Sequence, residues 1–348
     1  MKKRMFIITG CCIAILAAGQ FLMDARNGKK CQKQLFAMDT YMEFTAYGKN
    51  CEEAVDAAME EVQRLDNALS AQDTDSEVYE LNNRGSIHAS GDLYELVSKA
   101  EKISRETDGL FDPTIYPVMK LWGFPTGNYR IPAEQEIAAA LLKVDYTRIA
   151  LSEEDTITLG ENQEIDLGGI AKGYTGQKLT EIFRQYGVDS ALVSLGGNVQ
   201  AIGSKPDGSS WKVGIRDPEG SQQDYVGVLA VQDEAVVTSG GYERYFEENN
   251  EKYIHIIDTR TGYPVKSDLL SVTIVAEDGT LADGLSTALY VMGYQKALEF
   301  WMEHQENFDV IFITDTHEIY VSPDLEEKFQ SEENWNVINA ADRESADE

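Results

Sequence analysis

The sequence predicts an α+β fold: a single compact domain of mixed or antiparallel sheets with packed helices, preceded by an N-terminal signal or anchor segment. Three observations carry this expectation. Apolar residues recur at helical spacing in some segments and alternate in others. Helical patterns crowd the first half of the body, while strand patterns dominate beyond residue 190. No internal repeat and no long Pro/Ser linker divides the chain. At 348 residues, 43% hydrophobic and 26% charged, the chain has ordinary globular composition, which excludes wholesale disorder and collagen-like repeats.

Taken in order, Met1 to Arg4 are basic and the stretch from Met5 to Met23 carries no charge. That pattern marks a secretory signal or membrane anchor, and an apolar run of roughly 19 residues reaches the ~17–25 needed to span a bilayer. Ile8-Thr9-Gly10-Cys11 resembles a bacterial lipobox behind a short apolar run, and Ala17-Ala18-Gly19 offers a signal-peptidase site. Lipoprotein, uncleaved anchor and released forms all place the body outside the cytoplasm, facing out from a bacterial cell membrane. Asp24 to Gln34 then serves as a polar tether.

Leu35 to Gly48 is rich in β-formers and reads as a strand, and Glu52 to Leu69 follows with Ala54, Ala57, Ala58, Val62 and Leu65 at helical spacing. Leu93 to Thr107 and Pro132 to Lys143 read as helices, the latter with Pro near its first turn. Short β-like runs follow at Arg148–Leu151 and Thr156–Leu159. A long helical pattern then runs from Gly168-Gly169 to about Tyr186. Strands are expected at Ala191–Leu195, Trp211–Ile215, Val226–Val231, Tyr253–Ile257 and Ser271–Val275, a helix at Leu281–His304, and a hairpin from Val310–Ile313 and Glu318–Val321. The tail from Asn334 is polar and acidic and is expected to fray. The boundaries are therefore 1–34 for the signal or anchor and tether, 35–333 for the domain, and 334–348 for the tail.

Thirty Lys and Arg against sixty Asp and Glu give a net charge of −30, which repels a polyphosphate backbone and excludes a nucleic-acid partner. An anionic ligand would need a local remedy, such as a helix N-terminus or a divalent cation. All four cysteines, Cys11, Cys12, Cys31 and Cys51, lie in the first 51 residues, which argues against structural zinc and thiol catalysis in the body. Whether Cys31 and Cys51 pair stays open.

Three constellations carry chemistry. Asp166-Leu167-Gly168-Gly169 followed by Lys172 reads as an Asp N-cap, paired glycines and an ammonium at a helix start, a pattern suited to phosphate or pyrophosphate. Asp283 and Thr287, four residues apart, face one way and offer hard oxygen ligands for Mg²⁺. His255 lies in a β-run that ends in a Gly/Pro turn, and imidazole is the natural general base near neutral pH. Each also reads as ordinary architecture: a capped helix with packing glycines, an N-cap Asp with a filler Thr, and a hydrogen-bonded histidine at a strand edge. Thr238-Ser239-Gly240-Gly241 with Arg244, and Gly196-Gly197-Asn198, are weaker glycine-turn signals.

In combination and in this order, the segments resemble the FAD:protein FMN transferase (ApbE-like flavin transferase) family over roughly Leu35 to Val321. The matching pieces are Met38-Asp39-Thr40, Asp75-Ser76-Glu77 with Leu81-Asn82, Phe111-Asp112-Pro113-Thr114, Leu121-Trp122-Gly123-Phe124, Asp166 to Tyr174, Gly196-Gly197-Asn198, Thr238-Ser239-Gly240, His255 to Asp258 with Thr261-Gly262-Tyr263-Pro264, and Ala282-Asp283 to Thr287. The resemblance implies an ApbE-like, T-fold-related domain. Its implied reaction is Mg²⁺-dependent transfer of the FMN moiety of FAD, as substrate, to a Thr or Ser hydroxyl in the flavinylation motif of an acceptor electron-transfer flavoprotein, releasing AMP. It further implies metal ligands in Gly169, Asp283 and Thr287, with Ser286 as a further contact. FAD contacts are implied at Met38, Leu110, Phe111, Asp112, Asp166, Lys172 and Ile257, and His255 is the implied catalytic base. The chain departs from the family pattern at Asp39, Gln72 and Thr259; Asp283 to Leu289 resembles the family's acceptor motif but lacks its terminal hydroxyl at Leu289, and so reads as metal site only. Hydrolysis of FAD to FMN and AMP, and FAD binding without turnover, are the competing expectations.

Overall fold

The computed structural model describes residues 28–339 except 222. The expectations for the signal or anchor, including Cys11 and Cys12, fall outside the described residues, as does the tail beyond 339. No helix among the described residues is long and apolar enough to cross a membrane.

A nine-stranded sheet forms the frame, and its strand order follows the chain: β1 (Lys30–Ala37), β2 (Thr40–Tyr47), β3 (Ser190–Leu195), β4 (Asn198–Gly203), β5 (Ala235–Gly240), β6 (Leu269–Ala276), β7 (Asp309–Thr314), β8 (Ile319–Val321) and β9 (Trp335–Val337). Every pairing is antiparallel except β8 with β9, so the sheet is mixed. Eight helices among the described residues fill the insertions: α1 (Cys51–Leu69), α2 (Glu77–Arg84), α3 (Gly91–Glu106), α4 (Tyr116–Trp122), α5 (Glu134–Leu141), α6 (Ala171–Gln185), α7 (Gly279–Met292) and α8 (Tyr294–His304).

Both faces of the central strands are buried, so their alternation sorts side chains between two apolar cores rather than between core and water. In β5 to β7, Val237, Val272, Ile274, Val310 and Phe312 pack on the helical side, with Leu285, Leu289 and Leu298. Val236, Val275, Ile311 and Ile313 point the other way, onto a small sheet containing Trp211–Arg216 and Tyr225–Val231. At the other end α1 and α6 cover β1 to β3, through Ala54, Val62, Leu179 and Phe183 against Phe44 and Val193. Cys31 and Cys51 are buried free thiols in this cluster.

The structure corrects several sequence expectations. The segment read as one strand, Leu35 to Gly48, is a hairpin: Met38 and Asp39 take left-handed φ of 48° and 59° and reverse the chain. Its first strand begins at Lys30, so the tether expected to reach Gln34 ends earlier; Cys31 and Ala37 point inward and the whole strand pairs with β2. The helix expected over Leu281–His304 is two, parted at Gly293 with φ 77°. Asp268 replaces the lost helical continuity by accepting the Tyr294 N–H at 2.8 Å. Helices α2 and α4 were not expected; Ser76 caps α2 by accepting from the Tyr79 N–H. The tail expected to fray from Asn334 instead supplies β9 and buries Ile338, because Trp335–Val337 finds the open edge of β8.

Candidate functional site

Where the insertions after β2, β5 and β6 converge they enclose a cavity of about 490 Å³. That is within the range of a cofactor-sized pocket. The hairpin tip Met38-Asp39 supplies one wall, the end of α1 and the residues to Gln72 another, and Leu110, Phe111, Asp112 and Pro113 a third. Gly168, Gly169 and Lys172, the β5 end Thr238–Gly240, Glu243-Arg244, His255–Ile257, and Asp283 with Thr287 complete it.

Close passage of α6 against α7 builds the wall that carries Lys172, Asp283 and Thr287. A Cβ on Gly173 would lie 2.0 Å from the Gly279 carbonyl oxygen and 2.7 Å from the Asp283 Cβ, so only glycine permits this approach. The approach lets Asp283 Oδ2 accept the Gly173 N–H at 2.8 Å. Gly173 is the third residue of α6, whose N-cap Ile170 offers no side-chain bond, so Asp283 caps α6 from the neighbouring helix. The cap of α7 itself is Asp278, which accepts from Thr280 and Leu281 N–H at 2.8 and 3.2 Å. The N-cap reading of Asp283 is thereby excluded: it stands in the second turn. The N-cap expectation for Asp166 is corrected in the same way. Its Oδ1 accepts the Gly168 N–H at 2.9 Å, closing a tight turn ahead of a helix that starts only at Ala171.

Thr287 follows Asp283 one helical turn on, and its Oγ1 lies 3.4 Å from the Ser239 Oγ. Gly169 approaches both Phe111 and Thr287; a Cβ there would stand 3.2 Å from the Phe111 ring and 3.8 Å from Thr287 Oγ1. Ser286 does not reach the cavity. It is fully buried, donates to the Asp283 carbonyl at 2.8 Å and shares a hydrogen bond with Ser239 at 2.8 Å, because its position on α7 faces β5. It stands behind the cavity wall rather than on it.

No cluster of three or more His, Cys, Asp or Glu with metal-holding geometry occurs among the described residues. The donors at hand are the Asp283 carboxylate and the Thr287 hydroxyl, with the Gly169 backbone beside Thr287, a hard oxygen set with a single charge. Among the described residues nothing donates to Asp283 Oδ1, which leaves that oxygen available. Such a set fits Mg²⁺, which keeps waters and completes its octahedron with substrate phosphate.

The cavity carries Asp39, Asp66, Asp112, Asp166, Glu243 and Asp283 against Lys172 and Arg244. Asp166 lines the cavity and is half-buried. Burial pushes its carboxyl above the ordinary range, while the Gly168 N–H and then Arg244 and Lys172 pull it back. Glu243 is likewise raised by burial, with Lys172 and Arg216 opposing. Asp112 is raised by burial too, and both its oxygens are engaged: Oδ1 accepts the Thr114 N–H and hydroxyl at 2.8 and 2.6 Å, and Oδ2 the Tyr146 N–H at 3.0 Å. It shapes the Phe111 wall and has little capacity left for a ligand.

His255 lies one residue beyond the strand Glu251–Ile254, at the foot of a hairpin whose other foot is Arg244. Its backbone N–H donates to the Arg244 carbonyl at 3.0 Å, and its Nδ1 lies 3.1 Å from the same oxygen. A carbonyl only accepts, so Nδ1 carries the proton and Nε2 holds a free lone pair. Desolvation, helped by the Arg244 charge, lowers the imidazole pKa to about 4, so the ring is neutral at physiological pH.

The ApbE family model matches residues 38–312, most of the chain. The chain belongs to the ApbE family. A relative from Treponema pallidum named FAD:protein FMN transferase is 35% identical over 289 residues, 77% of this chain and 80% of its own length. The crystal structure of the ApbE protein from Thermotoga maritima superposes with a TM-score of 0.81 at 30% identity, covering 87% of this chain and all of the other. The apo flavinyl transferase ApbE of Pseudomonas stutzeri gives 0.74 at 29% identity, with 82% and 91% covered.

In this ApbE chain, every site residue expected from the sequence except Ser286 lines the one cavity: Met38, Leu110, Phe111, Asp112, Asp166, Gly169, Lys172, His255, Ile257, Asp283 and Thr287. Asn198, Ser239 and Arg244, only weak turn signals in the sequence, also line it, as does Glu243, which carries no sequence signal of its own. The signal is slight, since Asn198 and Ser239 stand beside glycine pairs that read equally well as turns, and Arg244 follows one by three residues. Gln72 also lies on the wall.

Proposed function

We propose that this chain transfers the FMN moiety of FAD to a Thr or Ser hydroxyl of an acceptor flavoprotein and releases AMP, with Mg²⁺ as its metal. The observation that carries the reading is the neutral His255, its Nε2 lone pair free, in the same cavity as the Asp283, Thr287 and Gly169 oxygen set. Asp283, Thr287 and the Gly169 carbonyl would hold Mg²⁺, which when bound supplies charge neutralisation to the pyrophosphate. Lys172, at the second residue of α6, adds an ammonium to the positive end of that helix, a setting that attracts phosphate. Phe111, Met38, Leu110 and Ile257 give apolar walls for the rings of FAD, and Asp166 offers an acceptor to a polar edge.

In the reaction the acceptor oxygen attacks the FMN-side phosphorus. A new P–O bond forms, the bridging P–O bond to AMP breaks, and the hydroxyl proton passes to His255 Nε2. Proton transfer of this kind contributes about 10²–10⁴ in rate, with the best base titrating near the operating pH. The pKa near 4 belongs to the protein without substrate. Phosphate anions beside the ring would lift it toward neutrality.

The body is placed outside the cytoplasm, held to a bacterial membrane through residues 1–34 as a lipoprotein or signal anchor. The basic Lys2-Lys3-Arg4 followed by an uncharged stretch supports this. Incubation with FAD and Mg²⁺, with and without an acceptor domain bearing one modifiable Thr, tests the activity through AMP release and intact acceptor mass. An FMN adduct with AMP is expected. AMP with free FMN and no adduct would mean hydrolysis, and FAD binding without AMP would mean a binding protein.

A further inference from the structure

The base His255 is one foot of a two-stranded hairpin, Tyr245–Glu248 paired with Glu251–Ile254, that belongs to no larger sheet. Because the Arg244 carbonyl holds both the His255 backbone N–H and its Nδ1, the hairpin stem and the imidazole move as one unit. The stem is braced by aromatics. Tyr129 stacks on Phe246 at 5.0 Å and 11°, Phe246 stacks on its cross-strand partner Tyr253 at 5.0 Å and 16°, and Trp122 packs against both Phe246 and Tyr253. Trp122 is fixed in turn by donating to the Gly262 carbonyl at 2.8 Å.

Register settles which main-chain groups this brace leaves free. Arg244 and His255 form a hydrogen-bonded pair, and in an antiparallel ladder such pairs alternate. Phe246 with Tyr253 and Glu248 with Glu251 are therefore bonded pairs too. The N–H and C=O of Tyr245 and Glu247 point out of the hairpin. Among the described residues no hydrogen bond reaches them. An edge strand with free main-chain groups is a template for an added strand. This one runs outward from the cavity rim at Arg244, and its four residues span roughly 13 Å at ~3.4 Å each.

The charge of the hairpin fits one kind of occupant. Glu247, Glu248 and Glu251 are exposed; Lys252 stands opposite Glu247 and Lys266 pairs with Glu251 at 2.7 Å, so among the described residues Glu248, directly opposite Glu251, is left without an ion-pair partner. Lys266 offsets only one charge of this pair, and a cationic partner would meet the other at Glu248. Resting on the transferase reading, in which an acceptor hydroxyl must come within hydrogen-bond reach of His255 Nε2, we propose that the acceptor flavoprotein docks an extended segment as a third strand on Tyr245–Glu248. Its Ser or Thr enters the cavity beyond Arg244, and Lys or Arg residues flank that hydroxyl on the outer side.

The test uses the full chain and, as probe, a purified acceptor flavoprotein domain with one modifiable Thr. Glu247→Pro removes an outward N–H that the hairpin does not use and blocks strand addition. It should raise the KM for the acceptor at least tenfold while kcat and FAD affinity stay within twofold, whereas Glu247→Ala should change the KM less. In the His255→Ala protein loaded with FAD, the acceptor should slow hydrogen exchange at the Tyr245 and Glu247 amides. Should Glu247→Pro misfold, the charge-reversed pair Glu247→Lys and Glu248→Lys serves instead, with at least a fivefold rise in acceptor KM expected. Flavinylation by the unmodified protein with an unchanged KM in these variants, or protection confined to other segments, would overturn the edge alone. AMP and free FMN without any adduct from the unmodified protein would overturn the transferase reading itself.

Discussion

On the proposed reading Asp283 holds two duties that one substitution separates. Its Oδ2 accepts the Gly173 N–H at 2.8 Å and so caps α6, while among the described residues nothing donates to its Oδ1, the oxygen the proposed Mg²⁺ would use. Replacement by Ala removes both. A hydrogen bond to a charged acceptor is worth about 1.5–3 kcal/mol net, and a carboxylate at a helix N-terminus adds about 0.3–1 kcal/mol, so Asp283→Ala should cost about 2–4 kcal/mol. Asn keeps a carbonyl oxygen of the same reach but carries no charge. A neutral bond retains about 0.5–1.5 kcal/mol, so Asp283→Asn should cost only about 1–2 kcal/mol. At roughly 2–4 °C per kcal/mol for chains of 150–250 residues, and less for a longer one, the two variants should differ visibly in thermal melting. Their metal behaviour should not differ. Both lose the one charged ligand of the proposed Mg²⁺ set, and the Mg²⁺ concentration for half-maximal AMP release should rise on the order of 100-fold, about 2.7 kcal/mol. The assay is a melting curve for each protein in chelator, beside a Mg²⁺ titration of FAD turnover. An Asn variant with unaltered Mg²⁺ dependence would remove the carboxylate from the metal site. An Ala variant as stable as the Asn variant would remove it from the cap.

Other substitutions probe the rest of the site. His255 is lowered to about 4 from an unfolded value near 6.5, so as pH falls between these values the unfolded state takes up a proton that the folded state refuses. Stability is then lost across pH 6.5 to 4 by up to ~3 kcal/mol at 1.36 kcal/mol per unit, and His255→Gln should flatten that part of the pH–stability curve. An imidazole NMR titration should find the pKa raised when FAD binds; a downward move would contradict the base assignment. Gly173→Ala places a methyl 2.0 Å from the Gly279 carbonyl oxygen, which the helices can relieve only by separating. It should cost more than the ~1–3 kcal/mol usual for overpacking and weaken Mg²⁺ dependence together with stability, as melting and turnover would show. Ser286→Ala loses hydrogen bonds to Ser239 and the Asp283 carbonyl, so stability should fall by about 1–2 kcal/mol while the Mg²⁺ requirement stays near its original value. A large rise in that requirement would return Ser286 to the metal set.

How much of this was readable in the sequence follows from how local each feature is. Asp283 and Thr287 share a face because they are four residues apart on a helix, and that needs no tertiary knowledge. That Asp283 caps α6 depends on a partner 110 positions away and on a helix crossing made possible by Gly173. Spacing within either helix says nothing of it. Asp278, only five residues earlier, is an equally good N-cap by composition, so the cap and the ligand could be told apart only in three dimensions. The β1–β2 hairpin escaped notice because its turn is Met38-Asp39, whereas the residues that announce a left-handed turn are Asn and Gly. Gly293 was passed over because an isolated glycine inside an apolar helical pattern is usually tolerated. β9 was hidden because its burial comes from pairing with β8, a tertiary effect on a segment whose composition is polar.

Electrostatics link the parts of the site more tightly than their geometry alone. With Asp39, Asp66, Asp112, Asp166, Glu243 and Asp283 against Lys172 and Arg244, the cavity favours a cation before it favours a dianion. On the proposed reading, Mg²⁺ and FAD each strengthen the other's binding, and linkage requires that coupling to be reciprocal. The same field bears on the base. His255 is kept neutral by burial and by Arg244. On the proposed reading an anionic substrate beside it would strengthen its basicity as an acceptor hydroxyl arrives, whereas in the unliganded cavity the ring is a weak base. Timing of this kind disfavours proton abstraction before substrate is in place, and it leaves hydrolysis to be limited by how well a docked acceptor excludes water from Nε2. Transfer and hydrolysis would thus be divided at the hairpin foot formed by Arg244 and His255, not in the pyrophosphate pocket that both reactions share.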